Sequence, residues 1–260
     1  MLLWPGLVWL AVTIAWELSG FDLAASDLVA CDTGGFPAKH AWWARGLLHD
    51  WSKPVIPVVA SICLLTTILS IWWQRLRPWW LPALAVALTI GISTGIVGLL
   101  KDTTNRHPPW SLQRYGGEVP HTELWEGPAP GFDRASGKPS GEGWPAGHAS
   151  GGFALIGLWF VARRMGTRRA WLWALPAILL GGAFALAQHW RGAHFLSHNL
   201  YSIAICWTVG VLIDRFASRR ARRTASCRTP TSSRSSTASS WQCLTARDPR
   251  PGWPGATRRW

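Results

Sequence analysis

The sequence predicts an all-α, polytopic membrane protein: about six transmembrane helices in a bundle, followed by a disordered C-terminal tail. Three observations carry this expectation. Of the residues, 48% are hydrophobic and 21 of 260 are Trp, a side chain that favours the membrane–water interface, where its ring is apolar and its N–H stays wet. Apolar runs recur at close to the length a helix needs to cross about 30 Å of hydrocarbon at about 1.5 Å per residue. Lys and Arg gather in alternate connecting segments, as expected for cytoplasmic loops.

The first apolar run spans about Leu2 to Ser19. It has neither a basic start nor a small-residue cleavage site, so it reads as a retained helix rather than a signal peptide. The second runs from about Val55 to Trp73 and the third from Leu81 to Leu100. The fourth, Ala149 to Ala162, is short for a full span. The fifth covers Trp171 to Ala187, and the sixth, also short, Leu200 to Ile213.

With six spans, the basic segments fall on one side. They are Gln74-Arg75-Leu76-Arg77, the group Arg163, Arg164, Arg168 and Arg169, and the cluster from Arg215 to Arg223. That side is expected to be cytoplasmic. Residues 20–54, 101–148 and 188–199 fall on the other side, and all eight His lie within them.

The net charge of +13 is unevenly placed. Eleven Arg and one Asp lie from Arg215 onward, so the rest of the chain is only about +3. A nucleic-acid reader needs a basic face on a folded module, and none is visible. From about Thr224 the chain is rich in Ser, Thr, Arg and Pro without apolar periodicity. Such a segment buries too little surface to offset its ordering entropy. The expected division is a six-helix membrane domain over 1–215, with its motif-bearing core at 50–214, and a basic tail over 216–260. The cysteines (Cys31, Cys63, Cys206, Cys227, Cys243) show neither metal spacing nor a disulfide framework.

Three stretches on the His-rich side carry reactive side chains. The first is Lys101-Asp-Thr-Thr-Asn-Arg-His-Pro-Pro-Trp110 with Arg114-Tyr-Gly-Gly117, and the second Trp144-Pro-Ala-Gly-His-Ala-Ser-Gly-Gly152. The third is Gln188-His-Trp-Arg-Gly-Ala-His-Phe-Leu-Ser-His198. Phosphoryl transfer requires fixed positive charge and N–H donors for the phosphoryl oxygens, a nucleophile, and an acid for the leaving oxygen. Lys101, Arg106, Arg114 and Arg191 supply charge, and His suits both remaining roles near neutral pH. His148 lies at the start of the fourth run, where the free N–H groups after Gly147 make an anion site. Gly147, Gly151 and Gly152 also suit close helix packing. His194 and His198 are four apart and share a face on a helical turn, so one can orient the other. His40, His49, His107, His121 and His189 read as solvated surface residues. The first loop, with Phe36-Pro-Ala-Lys-His-Ala-Trp-Trp43 and Leu48-His-Asp50, is either an interfacial piece guarding the site or plain interface packing.

These stretches resemble the type 2 phosphatidic acid phosphatase family, which shares its site with the vanadium haloperoxidases. The family pattern is Lys-x6-Arg-Pro, then Pro-Ser-Gly-His, then Ser-Arg-x5-His-x3-Asp. Lys101, Pro109, Pro145, Gly147, His148 and His194 fall in register, and the resemblance covers residues 50–214, closest in wording to a bacterial membrane subgroup. Four positions depart from the pattern: Pro108 and Gln188 stand where it has Arg, Ala146 where it has Ser, and His198 where it has the orienting Asp.

The resemblance implies a metal-independent, cofactor-free phosphatase acting on a lipid phosphate from the extracytoplasmic side of a bacterial inner membrane. His194 would be the nucleophile, His148 the acid and base, and His198 the orienting residue. Lys101, Arg191, the N–H groups after Gly147 and one of Arg106 or Arg114 would hold the phosphoryl oxygens. Its partners would be the lipid phosphate and membrane lipids, with no nucleic acid. A lipid phosphotransferase and a non-catalytic lipid-phosphate-binding protein are the alternatives.

Overall fold

The computed structural model describes residues 3–32, 34–104, 106–123, 126, 141 and 143–226. The chain opens with α1 (Leu3–Leu18) and the short α2 (Phe21–Asp27), bent by 69° to each other. A π-helical segment, Trp42–Trp51, precedes α3 (Val55–Leu69), which is followed by α4 (Trp80–Thr104). Then come α5 (Gly147–Ala154), α6 (Gly157–Arg164), α7 (Leu175–Trp190) and α8 (Leu196–Ser226). Among the described residues there is no strand, only an isolated bridge between Leu112 and Val119. Pro54 stands just ahead of α3 and Pro176 in the first turn of α7, positions where a missing N–H removes no helical bond.

The protein is an all-α polytopic membrane protein. Among the described residues, four helices are long and apolar enough to cross a membrane, or five if the bent α1–α2 pair is one span. The expected fourth span is instead two eight-residue helices, α5 and α6. The helix tightens where Leu155 N–H bonds to Gly152 O (3.1 Å) and Ile156 N–H to Phe153 O (3.0 Å), i→i+3 bonds that break the α-helical register. Val58, Ile62, Leu65 and Ile68 of α3 and Ile178, Leu179 and Leu186 of α7 are exposed. That apolar outer face is stable in hydrocarbon and a liability in water.

Inside the bundle, α5 packs against α4, α7 and α8. A Cβ on Gly152 would lie 2.6 Å from Gly181 Cα of α7, so the two backbones are in direct contact, as small residues permit. This contact ties α5, the helix that carries His148, to the middle of α7. From the far side, Asp22 of α2 accepts bonds from Trp16 Nε1 and from the Ser197 N–H, both at 3.0 Å. A carboxylate there caps the N-terminus of α8 and opposes its dipole. At the opposite end of the bundle, Asp214 is buried and takes Arg163 and Arg164 as partners. The tail was expected from residue 216, but α8 continues to Ser226; residues 227–260 lie outside the described residues.

Candidate active site

The site is built where α7 stops. Gly192 has φ 72°, and the bonds from Gly192 N–H to His189 O (2.8 Å) and Ala193 N–H to Gln188 O (2.9 Å) close the helix end. This left-handed stop is favourable for Gly alone. A Cβ there would also meet the Phe36 ring at 2.2 Å. The turn leaves Arg191 and His194 on a short bridge between α7 and α8.

His194 is buried, and its Nδ1 lies 2.6 Å from the Gly143 carbonyl oxygen. A carbonyl only accepts, so Nδ1 carries the hydrogen and the lone pair sits on Nε2. Burial pushes the His194 pKa well below the usual imidazole value, which keeps the ring neutral and that lone pair available. Gly143 is held in turn by the first stretch: its N–H bonds to Arg106 O at 2.6 Å. A Cβ on Gly143 would lie 2.8 Å from that oxygen, and one on Gly141 2.3 Å. Only glycine allows this approach of two backbones.

His198 does not hold His194. The rings are 6.0 Å apart between centroids and inclined by 68°. The expected i,i+4 pairing fails because α8 begins only at Leu196, so His194 precedes the helix. Its N–H is taken by a backbone carbonyl instead. Among the described residues, His198 Nδ1 has no hydrogen-bond partner. It faces a polar chamber shared with Arg106, Asp22 and Glu17.

The expected cations separate into two groups. Lys101, in the last turn of α4, reaches the start of α5: a Cβ on Gly147 would lie 3.4 Å from its Nζ. It acts electrostatically on His194. Arg191 is buried, donates to Gln188 Oε1 (3.1 Å) and Lys39 O (3.3 Å), and lies over the Trp110 ring. The Gln that replaces the motif Arg thus anchors the Arg found three residues later. Burial lowers the Arg191 pKa, and a guanidinium stays charged regardless. Arg191 acts electrostatically on His148.

The other two arginines are engaged elsewhere. Arg114 grips Asp27 with both prongs, at 2.8 and 2.6 Å, and Tyr115 Oη donates to the same carboxylate at 2.9 Å. The expected phosphate contact of Arg114 is therefore corrected: its guanidinium fork is occupied in tying α2 to the 113–115 turn. Arg106 donates to Thr122 O (2.6 Å) and Thr122 Oγ1 (3.0 Å) and lies on the His198 chamber.

His148 occupies the second residue of α5, beside Lys101 and the free N–H groups of that helix end. Its Nε2 is 3.1 Å from Ser52 Oγ, and its ring stacks on His49 at 4.8 Å. His49 is therefore half-buried against the site rather than freely solvated, and His189 is buried with Nδ1 3.3 Å from His194 O. Ser52 and Gly143 were not singled out from the sequence, and His49 was read there as a solvated residue of the first loop. The glycines at 141 and 143 ahead of Trp144-Pro145 were the one readable hint of a close backbone approach.

A model of the PAP2 superfamily matches residues 82–222, more than half of the chain. The protein belongs to the PAP2 superfamily, which makes it a phosphatase-type hydrolase. The match spans α4 to α8 and all three reactive stretches. No curated protein and no solved structure matches the chain.

Proposed function

We propose that this protein hydrolyses lipid phosphates through a phosphohistidine, without a metal. The observation that carries the lipid substrate is a cavity of about 330 Å³ between α3 and α4. Ile56, Pro57, Ala60 and Ile90 form its apolar wall, and Ser52, Lys53 and His148 stand at its polar head. An aliphatic chain fits the wall while the phosphate meets the charged groups, the division of labour usual in ligand sites.

The steps follow from the residues. His194 Nε2 attacks phosphorus, and the bond to the leaving oxygen breaks as that oxygen takes a proton from His148. Water then attacks the phosphoryl group, giving its proton to His148, while the P–N bond breaks and its electron pair returns to His194 Nε2. Lys101, Arg191 and the N–H groups after Gly147 offset the phosphoryl charge. Arg106 and His198 border the site from the chamber side. The basic loops support placing the site on the extracytoplasmic side of a bacterial inner membrane.

The test is phosphate release by the purified chain in detergent, with and without a chelator. A long-chain lipid phosphate should exceed glycerol phosphate in kcat/KM by about a hundredfold, because chain binding is realised only in the lipid. The chelator should leave the rate unchanged. Equal rates for the two substrates, or dependence on a divalent metal, would contradict the proposal.

A further inference from the structure

The segment ahead of α3 and a ring of α7 together hold His148 on three sides. His49 stacks on the imidazole at 4.8 Å with 29° between planes, and Phe184 of α7 meets it edge-on at 4.8 Å. His49 is itself fixed by Asp50, whose Oδ1 lies 2.8 Å from its Nδ1. Ser52 Oγ lies 3.1 Å from His148 Nε2.

The direction of that last bond follows from counting hydrogens. Ser52 has a single O–H, and the Leu48 carbonyl, which only accepts, lies 2.9 Å from Oγ. With its hydroxyl proton directed to Leu48, Ser52 offers His148 a lone pair. Nε2 thus faces an acceptor and carries the hydrogen, which leaves Nδ1 with the lone pair.

We infer that Ser52 is a positioning residue for His148: it holds the ring in its Nε2–H tautomer and so assigns proton exchange with the substrate to Nδ1. The inference rests on the phosphatase reading above. In the first step the Nδ1 proton of the imidazolium passes to the leaving oxygen as the P–O bond breaks. In the second step the Nδ1 lone pair takes a proton from the attacking water. The Nε2–H bond to Ser52 persists through both. A side chain orienting the base of a reacting pair has the same physical role as the third member of a hydrolytic triad. Ser52 lies outside residues 82–222, the part matched by the superfamily.

The bond also affects the pH profile. An imidazolium donates a stronger hydrogen bond than a neutral ring, so Ser52 favours the protonated form that acts as acid. The charged and titratable groups around His148 are His49 and Lys53 from the segment before α3, Arg191 and His194 after α7, and Lys101 at the end of α4. All remain in place when only Ser52 changes.

The experiment compares wild type, Ser52→Ala and Ser52→Thr as full-length protein in detergent micelles with phosphatidate. Ser52→Ala should lower kcat about tenfold with little change in KM, and its basic limb should move to lower pH by roughly half a unit. Ser52→Thr, which keeps the oxygen, should retain activity within about threefold. The ¹⁵N shifts of His148 should show Nε2–H in resting wild type and a tautomer mixture in Ser52→Ala. An unaltered kcat profile in Ser52→Ala, failure of Ser52→Thr to rescue, or an Nδ1–H tautomer in wild type overturns the inference. The wild-type tautomer needs neither turnover nor a folded Ser52→Ala. Nε2–H in a wild type that hydrolyses nothing would therefore sink the phosphatase reading and leave the Ser52 contact standing.

Discussion

Replacing His194 by Ala should reduce phosphate release from a lipid phosphate by at least about a thousandfold, because the variant has no nitrogen to attack phosphorus. The loss should appear in kcat, with lipid binding largely retained, since Lys101 and Arg191 remain. The fold should survive, as among the described residues the side chain makes a single hydrogen bond, to Gly143 O. In wild type, burial holds the His194 pKa well below the usual imidazole value. The sign follows directly: the nucleophile is neutral through the neutral range and is protonated only as pH falls well below about 6.5. The acid limb of kcat/KM should therefore lie below that value. Steady-state rates of both proteins across pH check the prediction.

The second large effect is on stability, at the other end of the bundle. Asp214 is 4% exposed and takes Arg163 Nη2 at 2.9 Å and Arg164 Nη2 at 2.8 Å. The two arginine side chains are 37% and 31% exposed. Replacing both by Met leaves a buried carboxylate without a cation, at a cost of roughly 3–5 kcal/mol. Asp214→Asn leaves two guanidinium groups that can turn to water, and its cost should be under about half of that. Thermal unfolding in detergent should therefore rank the double Arg variant well below Asp214→Asn. The reverse order would show that the carboxylate, rather than its neutralisation, is what the fold requires.

The sequence made the long spans legible because length and apolarity alone define a membrane helix. α3, α4 and α7 needed nothing more. The α5–α6 break was hidden, since the composition is apolar across Leu155 and Ile156 and the break arises from two tightened turns. His194, His148 and Lys101 were readable as reactive groups because their types and order match what phosphoryl transfer requires. The role assigned to His198 depended on a helix that starts two residues after His194. Arg114 could not be placed, because its partner Asp27 is 87 residues away. Ser52 was hidden for the same reason, being 96 residues from His148. Contacts at that separation are set by the packing of the bundle and leave no local pattern.

The central claim is a covalent bond between phosphorus and His194 Nε2, and trapping that bond tests it most directly. Full-length protein is mixed with a lipid phosphate carrying a radiolabelled phosphoryl group, quenched in alkaline detergent and digested. The account predicts an alkali-stable, acid-labile label on the peptide containing His194, absent from His194→Ala. Label on another residue, or phosphate release by His194→Ala at the wild-type rate, would contradict it.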